Sequence, residues 1–270
     1  MNIQSFKYLL VAFITTASLS FADITLETNF SGAEGYVSGS IDKSTQKANP
    51  YFKESAQSKG SLYFPAPQSP EFGILRRNPT SGRAKMVCTR GEGSGFAPKA
   101  SWATSIEFTI EGLSNAATGA KNATMLGGVG FTNSNIEVDD LMFAGIQKNP
   151  QQTNSYQFYV FGKGGGGFTS TNISYFAIGD STTDADDLTD IIKIDLTVTK
   201  SARPNEFNYL AVLSNKDKGI AVATLTGTLK MPKSYNSSLF AYVSSGAIVE
   251  EGNYDLFNLH AFSYKATESK

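Results

Sequence analysis

Five aspartates lie close together in one short segment of the sequence. They are Asp180, Asp184, Asp186, Asp187 and Asp190. Calcium prefers several hard oxygen ligands supplied by a flexible loop, so this segment predicts a weak calcium site. It is not an EF-hand loop, because the central glycine and the terminal glutamate of that motif are both missing. The alternative is a solvated acidic turn that caps a short helix at residues 184–188.

A second group of residues suited to binding is the aromatic run from Tyr156 to Phe161. Strand alternation places Tyr156, Phe158 and Val160 on one face and Gln157, Tyr159 and Phe161 on the other. One face is needed for the core, so the other predicts a stacking surface for a sugar or another apolar ligand. Tyr159 and Phe161 are therefore candidate ligand-binding residues. A second buried face beneath long loops is the alternative.

Three residue types occur once in the sequence, namely Trp102, His260 and Cys88. Trp102 is a third candidate for ligand binding as a sugar platform, although a core or edge position is favoured because large aromatics are mostly buried. A single histidine excludes multi-histidine metal sites within one chain, and His260 is expected to be structural. A single cysteine excludes an internal disulfide, and Cys88 is expected to be a small buried hydrophobe.

The elements that must position these residues are β-strands. The clearest are three alternating segments between residues 190 and 226, joined by the turn-forming runs Ser201–Asn205 and Asn215–Gly219. Apolar residues recur at every second position, and not at the spacing of a helix. This pattern predicts an antiparallel meander.

Further strand candidates are spread along the whole chain. They are residues 24–30, 61–64, 84–89, 105–111, 125–131, 136–146, 156–161, 237–243 and 254–264, while residues 168–178 are ambiguous. Short strands separated by glycine, proline and asparagine are typical of a sandwich and not of a parallel α/β sheet. The predicted fold class is therefore all-β, a two-sheet antiparallel β-sandwich of the jelly-roll type.

The N-terminus has the features of an export signal. A short basic opening is followed by an apolar run from Tyr8 and by the small-x-small triplet that ends at Ala22. This predicts a signal peptide at residues 1–22 that is removed, leaving one β-sandwich domain at residues 23–270. A transmembrane anchor is the alternative, but the run falls short of about 20 apolar residues. We expect a secreted, periplasmic or cell-surface protein without a membrane span after cleavage.

The charge balance excludes one class of partner. Lys7 is the only charged residue among the first 22, so the mature chain carries 22 basic and 24 acidic residues, a net charge of −2. The charges are dispersed and form no basic stripe. Nucleic acid is therefore not an expected partner.

Two short sequences carry a resemblance to a known superfamily. The opening Asn29–Tyr36, followed by Gly39–Ile41, resembles the start of secreted bacterial proteins of the concanavalin A-like (laminin-G-like) jelly-roll superfamily. The closing run Tyr254–Leu259 is also similar to that superfamily, in which the first and last strands pair. The resemblance implies that one sheet can bind carbohydrate, although many members have no known ligand.

Residues 137–142 resemble the start of the catalytic strand of the related β-glucanases. There, two carboxylates must flank one glycosidic bond. Glu137 and Asp139 match that strand, but Leu141 or Met142 stands where the second glutamate is required. Hydrolysis by this motif is therefore not expected, and an ordinary strand with outward-facing acids is favoured.

The sequence thus predicts an exported, non-catalytic β-sandwich that binds a glycan or another cell-surface partner. Two alternatives stay open, a degenerate or unrecognised polysaccharide-active enzyme and a purely structural surface protein.

Overall fold

The structure is a computed structural model. It describes residues 23–41, 52–55, 58, 62–64, 75–77, 84–89, 100–111, 125–133, 142–149, 155–163, 167–179, 189–231, 239–245 and 256–267. These residues form two antiparallel sheets, one four-residue helix, α1 (Tyr175–Ile178), and a 3₁₀ turn at Gly32–Glu34. The predicted all-β, two-sheet antiparallel sandwich is confirmed.

The larger sheet has nine strands. They are β1 (Ile24–Thr28), β2 (Gly39–Ser40), β4 (Leu62–Phe64), β5 (Leu75–Arg77), β7 (Ser101–Glu111), β12 (Ile192–Lys200), β13 (Glu206–Asn215), β14 (Ile220–Lys230) and β16 (Leu256–Thr267). Their order is β14-β13-β12-β7-β16-β5-β4-β2, with β1 also paired to β16.

The smaller sheet has seven strands. They are β3 (Phe52–Glu54), β6 (Lys85–Cys88), β8 (Met125–Thr132), β9 (Met142–Lys148), β10 (Ser155–Gly162), β11 (Gly167–Ser174) and β15 (Phe240–Ser245). Their order is β11-β10-β9-β8-β15-β6-β3, so β11 forms one edge of this sheet.

The main core lies between the two sheets. Alternate residues of each strand point into it, as in β12, where Ile192, Ile194, Leu196 and Val198 are all buried while the residues between them are more exposed. The smaller sheet contributes its own inward set, which includes Tyr156 and Phe158 of β10. Cys88 is buried in this core and forms no disulfide within the chain, as expected from the sequence.

The predicted meander is confirmed as β12, β13 and β14. Ile194 lies opposite Leu213 and Ala211 lies opposite Leu225, which keeps the apolar sets of the three strands on one face. The two turns use residues that tolerate a left-handed backbone, since φ is 61° at Asn205 and 65° at Gly219.

The first and last described strands pair, since β1 runs antiparallel to β16 from Ile24 opposite Ala266 to Thr28 opposite Phe262. The segment that follows β1 contributes aromatic side chains to the core. Phe30 is fully buried at a φ of 59°, and its ring lies 5.4 Å from that of Tyr36 and 5.8 Å from that of Phe52. The opening motif noted in the sequence thus helps to close this part of the core.

Three of the predicted segments lie outside the described residues. They are the signal peptide at residues 1–22, the glucanase-like residues Glu137 and Asp139, and the short acidic helix at residues 184–188. Within the described part of the chain, no helix is long and apolar enough to cross a membrane.

Candidate binding face

Strand β10 carries apolar side chains on both faces, as its sequence predicts. Tyr156, Phe158 and Val160 belong to the main core between the sheets. Tyr159 belongs instead to a second apolar cluster, with Phe161 packed against it. That cluster lies on the outer face of the seven-stranded sheet, because neighbouring residues of a strand point to opposite faces.

Four aromatic rings form a continuous row across this outer face, which we call the ring row. They are Tyr242 on β15, Phe143 on β9, Tyr159 on β10 and Phe168 on β11. The centroids of Tyr242 and Phe143 are 5.7 Å apart, those of Phe143 and Tyr159 5.9 Å, and those of Tyr159 and Phe168 5.5 Å. Such spacings are within the range of favourable ring contacts.

Glycines beneath the rings let them lie against the sheet. Gly130 of β8 pairs with Phe143 on one side and with Tyr242 on the other. A Cβ on Gly130 would stand 2.7 Å from the Tyr242 ring, and one on Gly128 would stand 2.5 Å from the Phe143 ring. The glycines of this strand, which weaken its sequence pattern, therefore make room for the aromatic side chains of its neighbours.

The ring row passes from buried to exposed along its length. Tyr242 and Phe143 are at most 2% exposed and Tyr159 is 7% exposed, whereas Phe168 at the edge of the sheet is 52% exposed. Phe161 lies opposite Phe168 in the register and is half-buried. Tyr159 is thus a buried residue that packs beneath Phe168. Phe168 and Phe161 are the rings that present surface to solvent at this edge of the sheet.

Three amide side chains run parallel to the ring row on the same face, and we call them the amide row. Gln147 lies opposite Gln157, and Gln157 lies opposite Asn172. The Gln147 Nε2 donates to Gln157 Oε1 at 2.8 Å, and the Gln157 Nε2 donates to Asn172 Oδ1 at 3.3 Å. Asn172 is exposed and the two glutamines are half-buried, so the row is accessible from solvent.

The two rows together place apolar rings and neutral hydrogen-bonding groups on the same face of the sheet, with the Tyr159–Ser170 pair between Phe161–Phe168 and Gln157–Asn172. Phe161, Phe168 and the amide row carry no charge, and each amide supplies both a donor and an acceptor. We call this set, Phe161, Phe168, Gln147, Gln157 and Asn172, the binding face. Of its members, the sequence predicts only Phe161 as a ligand-binding residue. The alternation of side chains in β9 could have indicated Gln147, because it places Gln147 on the same face as Phe143.

Trp102, the third aromatic predicted to contact a ligand, lies in the main core. It is 1% exposed, and its ring centroid is 6.2 Å from that of Phe207. The Nζ of Lys200 stands 5.3 Å from the ring centroid. Trp102 therefore takes no part in the binding face, because its side of β7 faces the opposite sheet.

Of the five aspartates predicted to bind calcium, Asp190 alone lies within the described residues. Its Oδ2 is 2.9 Å from the Nζ of Lys218 and accepts a hydrogen bond from Asn215 at 2.6 Å. Asp180, Asp184, Asp186 and Asp187 lie outside the described residues. The described part of the chain contains no cluster of three or more potential metal ligands from His, Cys, Asp and Glu.

The outer face of the nine-stranded sheet holds a separate open cavity of about 430 Å³. Its walls include Glu27, Glu34 and Glu107. Two of these carboxylates are engaged by the protein itself, because Glu107 pairs with Lys216 at 2.7 Å and Glu34 accepts from the Thr28 hydroxyl.

His260 lies on the same sheet, at an irregularity in the register between β16 and β7. Its Nε2 is 3.0 Å from the Thr109 hydroxyl. Burial lowers the pKa of His260 below its ordinary value of 6.5, against the opposing influence of Glu107 and Asp217. The neutral imidazole is therefore the form that the fold favours.

Comparison with known proteins gives similarity at the level of the fold. No protein-family model matches the sequence, and no curated protein matches it. Among solved structures, the winged bean acidic lectin in complex with methyl-α-D-galactose is 9% identical and has a TM-score of 0.48, with 91% of this chain and all of the lectin covered.

Two further structures show a similar arrangement. The CBM2 module of the evolved Dit protein of Lactobacillus casei BL23 phage J-1 is 9% identical with a TM-score of 0.49, covering 93% of this chain and all of the module. The endo-1,3-β-glucanase of Streptomyces sioyaensis is 12% identical with a TM-score of 0.45, covering 90% of this chain and 95% of the enzyme. At such identities and scores, no ligand or activity follows from the likeness.

Proposed function

We propose that the protein is an exported, non-catalytic β-sandwich that binds carbohydrate through the binding face. One observation carries this proposal, namely that the exposed ring of Phe168 and the half-buried ring of Phe161 lie on the same face of one sheet as the amide row, four residues away from it along each strand.

The chemistry of these groups favours a neutral ligand rich in hydroxyl groups. A sugar ring has an apolar C–H face that can cover an aromatic ring, and burial of that area is worth roughly 25 cal/mol per Å². Its hydroxyls both donate and accept, as do the side-chain amides of Gln147, Gln157 and Asn172. A charged ligand would find no partner of opposite charge among these five residues.

The test is a glycan array probed with the purified protein, followed by calorimetric titration of the best short oligosaccharide. We expect Phe168→Ala to weaken binding about tenfold, the effect of roughly 1.4 kcal/mol of lost contact. Asn172→Ala should weaken binding to a similar degree, because it removes the exposed end of the amide row.

Phe176→Ala is the matched control. Phe176 is 81% exposed but lies in α1, outside the binding face, so its removal should leave the affinity unchanged. Equal affinities of Phe168→Ala and Phe176→Ala would contradict the proposal. A wild-type protein that binds no glycan on the array would favour the purely structural alternative.

The alternative of a polysaccharide-active enzyme rests on the cavity with Glu27, Glu34 and Glu107. Glycoside hydrolysis needs two carboxylates about 5–9.5 Å apart on either side of the scissile bond. Release of reducing ends from a β-glucan by the wild type, and its loss in Glu27→Gln, would favour this enzyme over the non-catalytic module.

Export is supported by the signal-like residues 1–22. The intact mass of the protein recovered from the exported fraction is expected to correspond to a chain that begins at Asp23. A mass that includes Met1 would show that the segment is retained as an anchor.

A further inference from the structure

Strands β10 and β11 share a line of uncharged side chains along the outer face of the seven-stranded sheet. The register pairs Phe168 with Phe161, Ser170 with Tyr159, Asn172 with Gln157 and Ser174 with Ser155. The members of these pairs are two residues apart on each strand, so they all point to the same face. All of them are neutral side chains. We call these four pairs the neutral track.

The neutral track is longer than the reach of a single sugar ring. A strand advances about 3.3 Å per residue, so the track spans roughly 13 Å from Phe168 to Asn172 and roughly 20 Å from Phe168 to Ser174. One sugar stacked on Phe168 therefore does not also touch the Asn172 amide. A ligand that uses both groups must be a chain of linked sugars that lies parallel to the two strands.

The solvent-exposed side of the track belongs to β11. Phe168 is 52% exposed, Asn172 and Ser174 are also exposed, and Ser170 between them is half-buried. Ser170 is small, and its partner Tyr159 is buried beneath Phe168. The middle of the track is therefore lower than the ring of Phe168, which leaves room for a chain to pass from this ring to the amide.

One end of the track is open. β11 is the outermost strand of its sheet, and a Cβ on Gly167, next to Phe168, would have no described atom within 4 Å. A chain longer than the track can thus continue past Gly167 without a clash with the described residues. A closed pocket, in contrast, would accept only the terminal sugar of a chain.

The amide groups of the track have a fixed direction. Asn172 Oδ1 accepts from Gln157 Nε2 at 3.3 Å and from Asn149 Nδ2 at 3.4 Å. The amide oxygen of Asn172 is therefore used within the sheet, whereas its Nδ2 has no hydrogen bond to the described part of the chain. This leaves a donor on an exposed side chain, which suits a hydroxyl or ring oxygen of a sugar.

We propose that the neutral track binds an internal stretch of a linear, uncharged polysaccharide, with the chain parallel to β10 and β11. Such recognition of a chain interior rests on the proposed function, carbohydrate binding by the same sheet. Phe168 covers the apolar face of one sugar, and Asn172 Nδ2 donates to an oxygen of a sugar further along the chain. A sulfated or carboxylated chain would gain no ionic contact on the track, so uncharged polymers are favoured.

The first test is calorimetric titration with oligosaccharides of increasing length, from one to six sugar units. The probes are the β-1,3-glucan and β-1,4-glucan series and the series of the neutral glycan that gives the strongest signal on the array. We expect the hexasaccharide of the preferred series to bind about tenfold more tightly than the single sugar, which makes only one of the two contacts.

The outcomes separate this inference from the proposed function. A single sugar that binds as tightly as the hexasaccharide would overturn the internal-chain mode and leave carbohydrate binding intact. If no glycan binds, on the array or in titration, the proposed function fails and the inference fails with it.

A double-mutant cycle tests whether one chain spans both ends of the track. With the hexasaccharide, Phe168→Ala and Asn172→Ala should each weaken binding about tenfold and together about hundredfold, since sites this far apart act independently. A disaccharide covers one end only, so one of the two replacements should leave its affinity unchanged. If both replacements weaken the disaccharide, the contacts belong to one compact site and the proposed chain direction is wrong.

The donor role of Asn172 has its own variant and control. Asn172→Asp keeps an acceptor for Gln157 but removes the Nδ2 donor, so the affinity for the hexasaccharide should fall about tenfold. Thr169→Asp is the matched control, because Thr169 is exposed on the same strand and points to the other face, and it should bind as the wild type does. Circular dichroism checks that the sheet is intact in both. Equal affinities of the two variants would overturn the assigned donor.

Discussion

The ring of Tyr159 stacks on the ring of Phe168, with 5.5 Å between the centroids and 24° between the planes. One partner of this contact is 7% exposed and the other is 52% exposed. In this stacked pair, Tyr159 therefore contributes to packing, whereas Phe168 is open to solvent.

Replacement of the two residues should separate stability from binding. Tyr159→Ala is expected to lower the free energy of unfolding by about 3 kcal/mol, because it leaves a cavity beneath the binding face. Phe168→Ala should cost less than about 1 kcal/mol, since half of its ring is already in water. Urea unfolding of both variants is the measurement. Equal losses would show that Phe168 is as important to packing as Tyr159.

Gly130→Ala should destabilise the seven-stranded sheet. The added methyl group would stand 2.7 Å from the Tyr242 ring and closer still to the backbone oxygen of Met142. Overpacking of this kind typically costs about 1–3 kcal/mol. Thermal unfolding measures it, with Ser170→Ala on the same face as a control that should change little. An unchanged midpoint for Gly130→Ala would mean that both the Tyr242 ring and the backbone at Met142 can move away at little cost.

Stability should fall as the solution is acidified below the ordinary pKa of histidine. The folded protein holds the pKa of His260 below 6.5, mainly through burial. The unfolded chain then binds a proton more readily than the folded chain, so stability present above about pH 6.5 is lost as the pH falls through the folded-state pKa. His260→Gln should show a smaller decrease in the free energy of unfolding between pH 7 and pH 5.

A variant of a carboxylate near His260 is the control for the pH dependence of stability. Glu107 and Asp217 favour the protonated ring, so Glu107→Gln should steepen the acid dependence. Parallel pH profiles for the wild type and His260→Gln would show that other groups determine the acid sensitivity.

Calcium binding by the acidic segment remains a prediction from the sequence. If Asp180, Asp184, Asp186 and Asp187 supply ligands, excess calcium should raise the unfolding midpoint relative to excess chelator, because a ligand of the folded state stabilises by mass action. Asp190 is already held by Lys218 and Asn215, so Asp190→Asn should leave the calcium effect in place. Identical midpoints in calcium and chelator would contradict the site.

Local alternation was enough to determine which residues of the meander face the core and how the side chains of β10 divide between its two faces. Tyr156, Phe158 and Val160 are buried between the sheets, and Tyr159 and Phe161 lie on the other side, as the two-residue period requires. The pairing of β1 with β16 was implied by the resemblance to jelly-roll proteins and is present.

Pairing between strands far apart in the sequence determined the composition of the binding face. Gln147, Gln157 and Asn172 come from three strands, and only the register of the sheet makes them one row. Burial was likewise invisible in the sequence, since the same aromatic pattern suits a covered Tyr159 and an open Phe168. Trp102 is buried in the core because it lies on the same side of β7 as Ile106 and Phe108. A sequence fixes the local period of a strand, but the neighbours of a strand and the depth of a side chain depend on contacts between segments far apart in the chain.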